Sequence, residues 1–244
     1  MTISSTLDRL HAQAKQNRWL WFFSIFNRLA LAAGFIPAGI VKLMDERFAS
    51  GLSANHPMGQ YLVALHHTGY YYTFIGVVQV LAAIFLLIPR TVTLGAFLYF
   101  PIILNICVLT YAVRFDGSLF TAPLMTLANL YLICWNYEKW KYILPFNRLR
   151  VSAAAPETKR MSNKFPTLFF AGVFAAVVIC VVGIPSLYRI KPRNTLPQCI
   201  KQFKNTNRTV AGANFCDCIH NNGQPLNQCM NEYNKAPDDK IRVP

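Results

Sequence analysis

Acidic side chains are scarce in this chain. Asp and Glu number ten among 244 residues, and charged residues of both signs reach only 14%. A soluble domain carries roughly 25% charged residues, so water is a poor candidate for the main solvent of this polypeptide. None of the ten carboxylates falls at the centre of a long apolar run. That weighs against a proton-driven transporter, in which an intramembrane carboxylate commonly relays the proton. Also missing are a Ser/His/Asp order, a phosphate loop, a dinucleotide fingerprint and an HExxH pair, so the usual signatures of hydrolysis, nucleotide binding and metalloprotease chemistry name no reaction. No catalytic residue is identified. The first twenty residues are polar and lack an apolar core ending in a small-residue site, so no cleavable signal peptide is expected.

Apolar residues are what the chain has in abundance: 54% are hydrophobic, with eighteen Phe, eleven Tyr and four Trp, and the mean hydropathy is +0.29. A hydrocarbon core of about 30 Å takes roughly 20 helical residues to cross. Five runs approach that length, at about Trp21–Leu43, Tyr70–Ile88, Val92–Val113, Leu119–Tyr137 and Pro166–Tyr188. The short connections at Pro89-Arg90 and Gly117 make neighbouring runs antiparallel. The expected fold is therefore an all-α integral membrane protein. It comprises a four-helix transmembrane bundle over residues 21–143, a basic linker at 144–165, a fifth transmembrane helix at 166–188 and a small extracytoplasmic tail at 189–244. Residues 1–20 read equally as an interfacial amphipathic helix or a solvated lead-in.

The net charge of +14 does not call for nucleic acid, because the basic residues stand between apolar runs where topology explains them. Arg9, Lys15 and Arg18 precede the first run, Arg90 follows the second, and Lys139, Lys141, Arg148, Arg150, Lys159, Arg160 and Lys164 separate the fourth from the fifth. All fall on one side if the runs alternate, which puts the N-terminus in the cytoplasm and the C-terminus outside. Arg189, Lys191 and Arg193 oppose this, but the segment between runs four and five is more densely basic.

The seven cysteines divide by location. Cys107, Cys134 and Cys180 lie in apolar runs and read as small packing residues. Cys199, Cys216, Cys218 and Cys229 cluster in the polar tail, where small extracytoplasmic units commonly compensate for a poor core with disulfides. Cys216 and Cys218 are badly placed to pair across one residue, so Cys199 and Cys229 join them in either of two connectivities. Two rival readings are a redox-active Cys216-Asp-Cys218 dithiol and a metal site of Cys216, Cys218, His220 and Cys229. The spacing fits no strong zinc pattern, and structural crosslinks with no bound metal are the expectation.

Polar groups at membrane depth are functional candidates by default. Arg28 and Lys42 lie in the first run, fourteen positions apart and within roughly 40° of one helical face. Gln79, Asn105 and Asn129 sit one each near the middle of the next three runs. They read either as interhelical hydrogen bonds or as a shared polar pocket for an anionic or carbonyl-bearing ligand, such as a quinone head group or a lipid. Pro37 and Pro101 are expected to bend their helices. His56, His66 and His67 offer proton or metal chemistry in the outer loop, or simply an interfacial position.

The stretch Arg28-Leu-Ala-Leu-Ala-Ala-Gly34-Phe-Ile-Pro-Ala-Gly39-Ile-Val-Lys42, and the hairpin Gly76-Val-Val-Gln79-Val-Leu-Ala-Ala-Ile-Phe-Leu-Leu-Ile-Pro-Arg90-Thr-Val-Thr-Leu-Gly95, resemble the DoxX-like family of small four-span membrane proteins over about residues 28–143. The resemblance implies a four-helix membrane bundle in a bacterial inner membrane. Some members are associated with thiosulfate:quinone oxidoreduction or oxidative-stress complexes, and others with methylamine-utilisation systems that depend on periplasmic disulfide formation. The fifth run and the cysteine tail depart from the four-span pattern. The expected role is an accessory or redox-associated subunit of a membrane complex. The alternatives are a quinone-linked oxidoreductase subunit and a non-enzymatic scaffold that docks a periplasmic partner through its tail.

Overall fold

A computed structural model describes residues 3–52, 56–113, 115–140, 161–184, 186 and 194–239. Most of the basic linker and the residues that follow the fifth run, with Arg189, Lys191 and Arg193, lie outside the described residues. Helices account for nearly all of the regular structure. They are α1 (Ile3–Lys15), α2 (Arg18–Leu43), α3 (Pro57–His66), α4 (Tyr70–Leu87), α5 (Val92–Ala112), α6 (Thr121–Trp135), α7 (Tyr137–Trp140), α8 (Thr167–Val178), α9 (Leu196–Gln202), α10 (Thr209–His220) and α11 (Leu226–Lys235). Among the described residues there is no strand, only a bridge between Asn17 and Ser162.

Three helices, α2, α4 and α5, are long and apolar enough to cross a membrane. Of the other two apolar runs, the fourth yields a shorter helix than its sequence suggests, and the end of the fifth lies outside the described residues. The fourth, expected from Leu119 to Tyr137, begins at Thr121 and ends at Trp135. Asn136 ends it by turning its side-chain amide back to Leu132 O at 2.8 Å, a local bond that competes with helix continuation. The fifth starts at Thr167 and passes after Val178 into a π turn, Ile179–Gly183. Pro37 and Pro101 lie inside α2 and α5 without ending either helix.

Local chemistry sets the helix starts. Asn17 accepts hydrogen bonds from Trp19 N (2.9 Å) and Leu20 N (3.3 Å) and so caps α2, satisfying donors that have no partner within the helix. Its amide also donates to Lys164 O at 2.8 Å, tying the start of α2 to the approach of α8. The N-terminal stretch is helical and packs on the bundle: His11 Nε2 lies 3.0 Å from Trp135 O, and Lys15 Nζ stands 4.4 Å from the centre of the Trp135 ring.

Helices α2, α4, α5 and α6 pack side by side around Leu31, Phe35, Leu86, Ala96, Tyr99 and Leu132. The Phe35 and Tyr99 rings stack with centroids 3.5 Å apart, and Tyr99 Oη donates to Leu31 O at 3.2 Å. Helices α2 and α4 run antiparallel and touch backbone to backbone. A Cβ placed at Gly39 would stand 2.9 Å from Gly76 O and 2.6 Å from Val80 Cγ2, and one at Gly76 would meet Gly39 O at 2.9 Å. Small residues permit this approach, the usual basis of close helix pairs in lipid. Helix α8 adds itself through Phe169 and Phe170, each 5.6 Å from Phe23.

Beside its apolar core the bundle buries several polar side chains while large apolar ones face outward. Ser24, Asn27, Gln79, Thr110, Thr126 and Asn129 are buried, whereas Phe26, Phe74, Val108 and Phe174 are 60% exposed or more. Outward apolar faces of this extent have no place on a monomeric soluble surface.

The Gly39 contact leads to an asymmetry. Replacing Gly39 by Ala drives a methyl into fixed backbone and is expected to destabilise the detergent-solubilised chain by about 1–3 kcal/mol. Gly172→Ala, where nothing lies within 4 Å, should leave thermal unfolding in the same detergent unchanged.

Candidate functional site

The structure does not gather the five pocket candidates into one cavity. Arg28 reaches across to α4 and donates from Nε to Leu86 O and from a terminal nitrogen to Leu87 O, both at 2.7 Å. These carbonyls belong to the last turn of α4, where no helical donor remains for them, and a cation there also meets the negative end of the helix dipole. Gln79 lies seven residues earlier on α4, about 10 Å along its axis. Asn129 donates to Ala96 O at 3.0 Å and so joins α6 to α5. Asn105 faces outward from α5. Lys42 is buried at the opposite end of α2, where its ammonium donates to Ala38 O at 2.8 Å and lies 4.5 Å from the centre of the Phe48 ring. Gln79 Oε1, Asn129 Oδ1 and Asn27 Nδ2 are buried without a hydrogen-bond partner.

The histidines between α2 and α4 are separated too. His56 caps α3 by accepting from Met58 N at 3.0 Å. His66 lies beside Asp45, 2.9 Å from its backbone oxygen and 3.5 Å from its carboxylate. Among the described residues no group of three or more His, Cys, Asp or Glu converges in the manner of a metal site.

The tail is where side chains with candidate roles do converge. Disulfides join Cys199 to Cys216 and Cys218 to Cys229, each with Cα atoms 5.8 Å apart. Two residues on a helix are about 200° apart, so Cys216 and Cys218 leave α10 on nearly opposite sides, one toward α9 and the other toward α11. This geometry selects one of the two connectivities that the sequence left open. All four tail cysteines are therefore paired as disulfides, and Cys216 and Cys218 are not joined to each other.

A small aromatic core completes the unit. Phe203, Phe215 and Tyr233 pack with ring centroids 5.5–6.0 Å apart. The Arg208 guanidinium lies 4.4 Å from the Tyr233 ring centre and pairs with Asp238 at 3.0 Å. Asp239 accepts from Thr209 N and Val210 N at the start of α10. Sequence reading missed these contacts, because three aromatics spread over thirty polar residues show no periodic pattern.

The tail is seated on the segment between α2 and α4. Gly223, at φ +59°, leaves room for the His56 ring: a Cβ there would stand 2.5 Å from His56 Nε2. At this seam Gln60 of α3 joins Asn214, Asp217, Gln228 and Glu232 of the tail around an open polar cleft of about 370 Å³. At the other end of the bundle Arg28 lines a second cavity, of about 230 Å³, with Lys15, Trp135 and Lys139.

In comparisons with known proteins, one relative is the Uncharacterized protein YwoB of Bacillus subtilis (strain 168). It is 39% identical over 90 residues, which cover 34% of this chain and 58% of that protein. The chain thus matches a little over half the length of that relative. No family model matches the chain, and no solved structure does.

The pairing predicts that the unreduced, denatured chain titrates three thiols, at Cys107, Cys134 and Cys180, and that peptide mapping recovers 199–216 and 218–229 crosslinks; a titre of seven would refute it. Cys229→Ser is expected to cost the tail about 3 kcal/mol in denaturant unfolding. A pH dependence follows from His220, whose Nε2 is buried without a hydrogen-bond partner. Burial pushes its pKa below the ordinary 6.5, so the folded tail favours the neutral ring. The associated stability is whole above pH 6.5 and is lost as pH falls below that value, because the unfolded chain takes up the proton first. The denaturant midpoint of the tail should drop between pH 7 and pH 5, and His220→Gln should remove that component.

Proposed function

We propose that this chain is a DoxX-like multi-pass protein of a bacterial inner membrane and serves as an accessory subunit of a membrane complex. In this reading α2, α4, α5 and α6 form the transmembrane bundle and α8 is the fifth span. The N-terminus lies in the cytoplasm, and the tail is a rigid docking element that presents its surface to a periplasmic protein.

The observation that carries the proposal is the seating of a doubly crosslinked tail on the outer loop, through Gly223 against His56 and the polar seam at Gln60. A crosslinked unit loses little further entropy when it binds, which favours affinity. Two disulfides also suit an oxidising compartment. In the bundle, Arg28, Lys42 and Asn129 all spend hydrogen bonds on backbone carbonyls, which suits a platform better than a reaction centre.

Topology and docking are tested separately. A periplasm-dependent reporter fused after Pro244 should be active and a cytoplasm-dependent one silent; the reverse pattern ends the assignment of sides. For docking, a photo-crosslinker at position 228 in native membranes should yield a discrete protein adduct that a crosslinker at position 174 does not. An identical adduct pattern at the two positions, or a complex that survives deletion of residues 189–244 intact, would rule the docking role out.

A further inference from the structure

The end of the bundle at which α2 begins has a feature that the docking role does not use. Lys15 of α1, Arg28 of α2 and Lys139 of α7 line a single cavity of about 230 Å³ together with Ser24, Trp135 and Asn136, and among the described residues no acidic one lines it. The three cations come from positions 124 residues apart in the chain (139 − 15), so the tertiary fold alone assembles them.

Two of the three cations are positioned by contacts of their own, and Lys139 is exposed at the rim. Arg28 is held by the two carbonyls at the end of α4. A guanidinium has five N–H donors, so three remain. Lys15 is half-buried with its ammonium over the Trp135 ring, and burial lowers its pKa against the opposing influence of Glu138. Among the described residues Glu138 is the acid adjoining this region, and its Oε1 lies 3.2 Å from His11 Nδ1. Three cations against that one carboxylate leave a surplus of two positive charges (3 − 1). Like charges drawn together at the edge of an apolar bundle repel more strongly than in bulk water, and an anion relieves that repulsion.

The surroundings of the cavity narrow the class of anion. Trp21 lines it and is 42% exposed, and the neighbouring Trp19 and Phe22 are 44% and 45% exposed. Tryptophans of this kind collect where hydrocarbon meets headgroups, and basic pockets between helices at that depth take anionic headgroups. At about 30 Å³ per water, the cavity of about 230 Å³ holds the equivalent of about eight waters, which admits a phosphate group with part of its ester.

We infer that this cavity is a binding site for a phosphate-type oxyanion, supplied by an anionic phospholipid whose acyl chains lie against the apolar face of α2. The location of those chains rests on the membrane reading above; the cluster of cations does not.

The test uses the full chain in detergent and native mass spectrometry. Phosphatidylglycerol is the probe, phosphatidylcholine the uncharged comparison, and inorganic phosphate the competitor. Wild type should retain phosphatidylglycerol at least tenfold better than phosphatidylcholine. The double variant Lys15→Gln/Lys139→Gln keeps Arg28 on the α4 carbonyls and should lower that retention roughly twentyfold. Lys201→Gln/Lys204→Gln, in the tail, should not alter it. Displacement by millimolar phosphate would support the site with free phosphate as a second source, and retention unaffected by phosphate would support the lipid alone. Equal retention of the two lipids by wild type, or a double variant that binds as wild type does, would overturn the inference. Failure of the chain to partition into detergent at all would instead overturn the membrane reading.

Discussion

The contact between α2 and α4 at Gly39 and Gly76 governs the rest of the arrangement. With no side chain on either residue, the two backbones approach until Gly39 O stands 2.9 Å from where a Gly76 Cβ would be. That distance brings the Arg28 guanidinium within reach of Leu86 O and Leu87 O at one end of the pair. At the other end it brings Lys42 against the start of α4, with its ammonium 5.9 Å from the centre of the Tyr72 ring. Two cations in an apolar helix are costly unless they find polar or aromatic partners. The glycine contact puts such partners in range.

Around that pair the structure disposes of its polar atoms by burying them. Asn129 links α6 to α5 through Ala96 O, Tyr131 Oη donates to Leu20 O at 2.8 Å, and Tyr99 Oη donates to Leu31 O. In each case a side chain seeks a backbone carbonyl on another helix, and apolar side chains are left facing outward. Dispersion and interhelical hydrogen bonds hold such a bundle when its surroundings are as apolar as its surface.

The tail obeys different rules. It is polar and small and has few apolar residues for a core, so covalent bonds and one aromatic cluster do the work that burial does elsewhere. Its contact with the bundle is narrow, resting on a glycine with positive φ that admits the His56 ring. Bundle and tail, stabilised separately, carry two polar features apart from each other: the cleft at the seam near Gln60 and the basic cavity near Arg28.

Much of the helical layout was legible in the sequence because apolar runs and short turns are local signals. The starts of α2, α4 and α5 fall within a few residues of the expected positions, and the tail cysteines read as a disulfide set because four of them sit in a polar segment with little else to fold around. The length of α6 was less legible, since Asn136 ends it through a hydrogen bond that composition does not register. Side-chain direction was not legible at all. Arg28, Lys42, Gln79, Asn105 and Asn129 read either as interhelical hydrogen bonds or as one pocket because each falls within an apolar run, but position along a run fixes neither facing nor partner. Only packing decided that Arg28 turns to α4 and Asn105 to the outside. Packing alone also chose the disulfide connectivity, because α10 had to lie between α9 and α11 before Cys216 and Cys218 could face different partners. It likewise brought Lys15 and Lys139 to Arg28, a meeting that no local pattern encodes, because contacts between residues distant in sequence exist only once the helices are assembled.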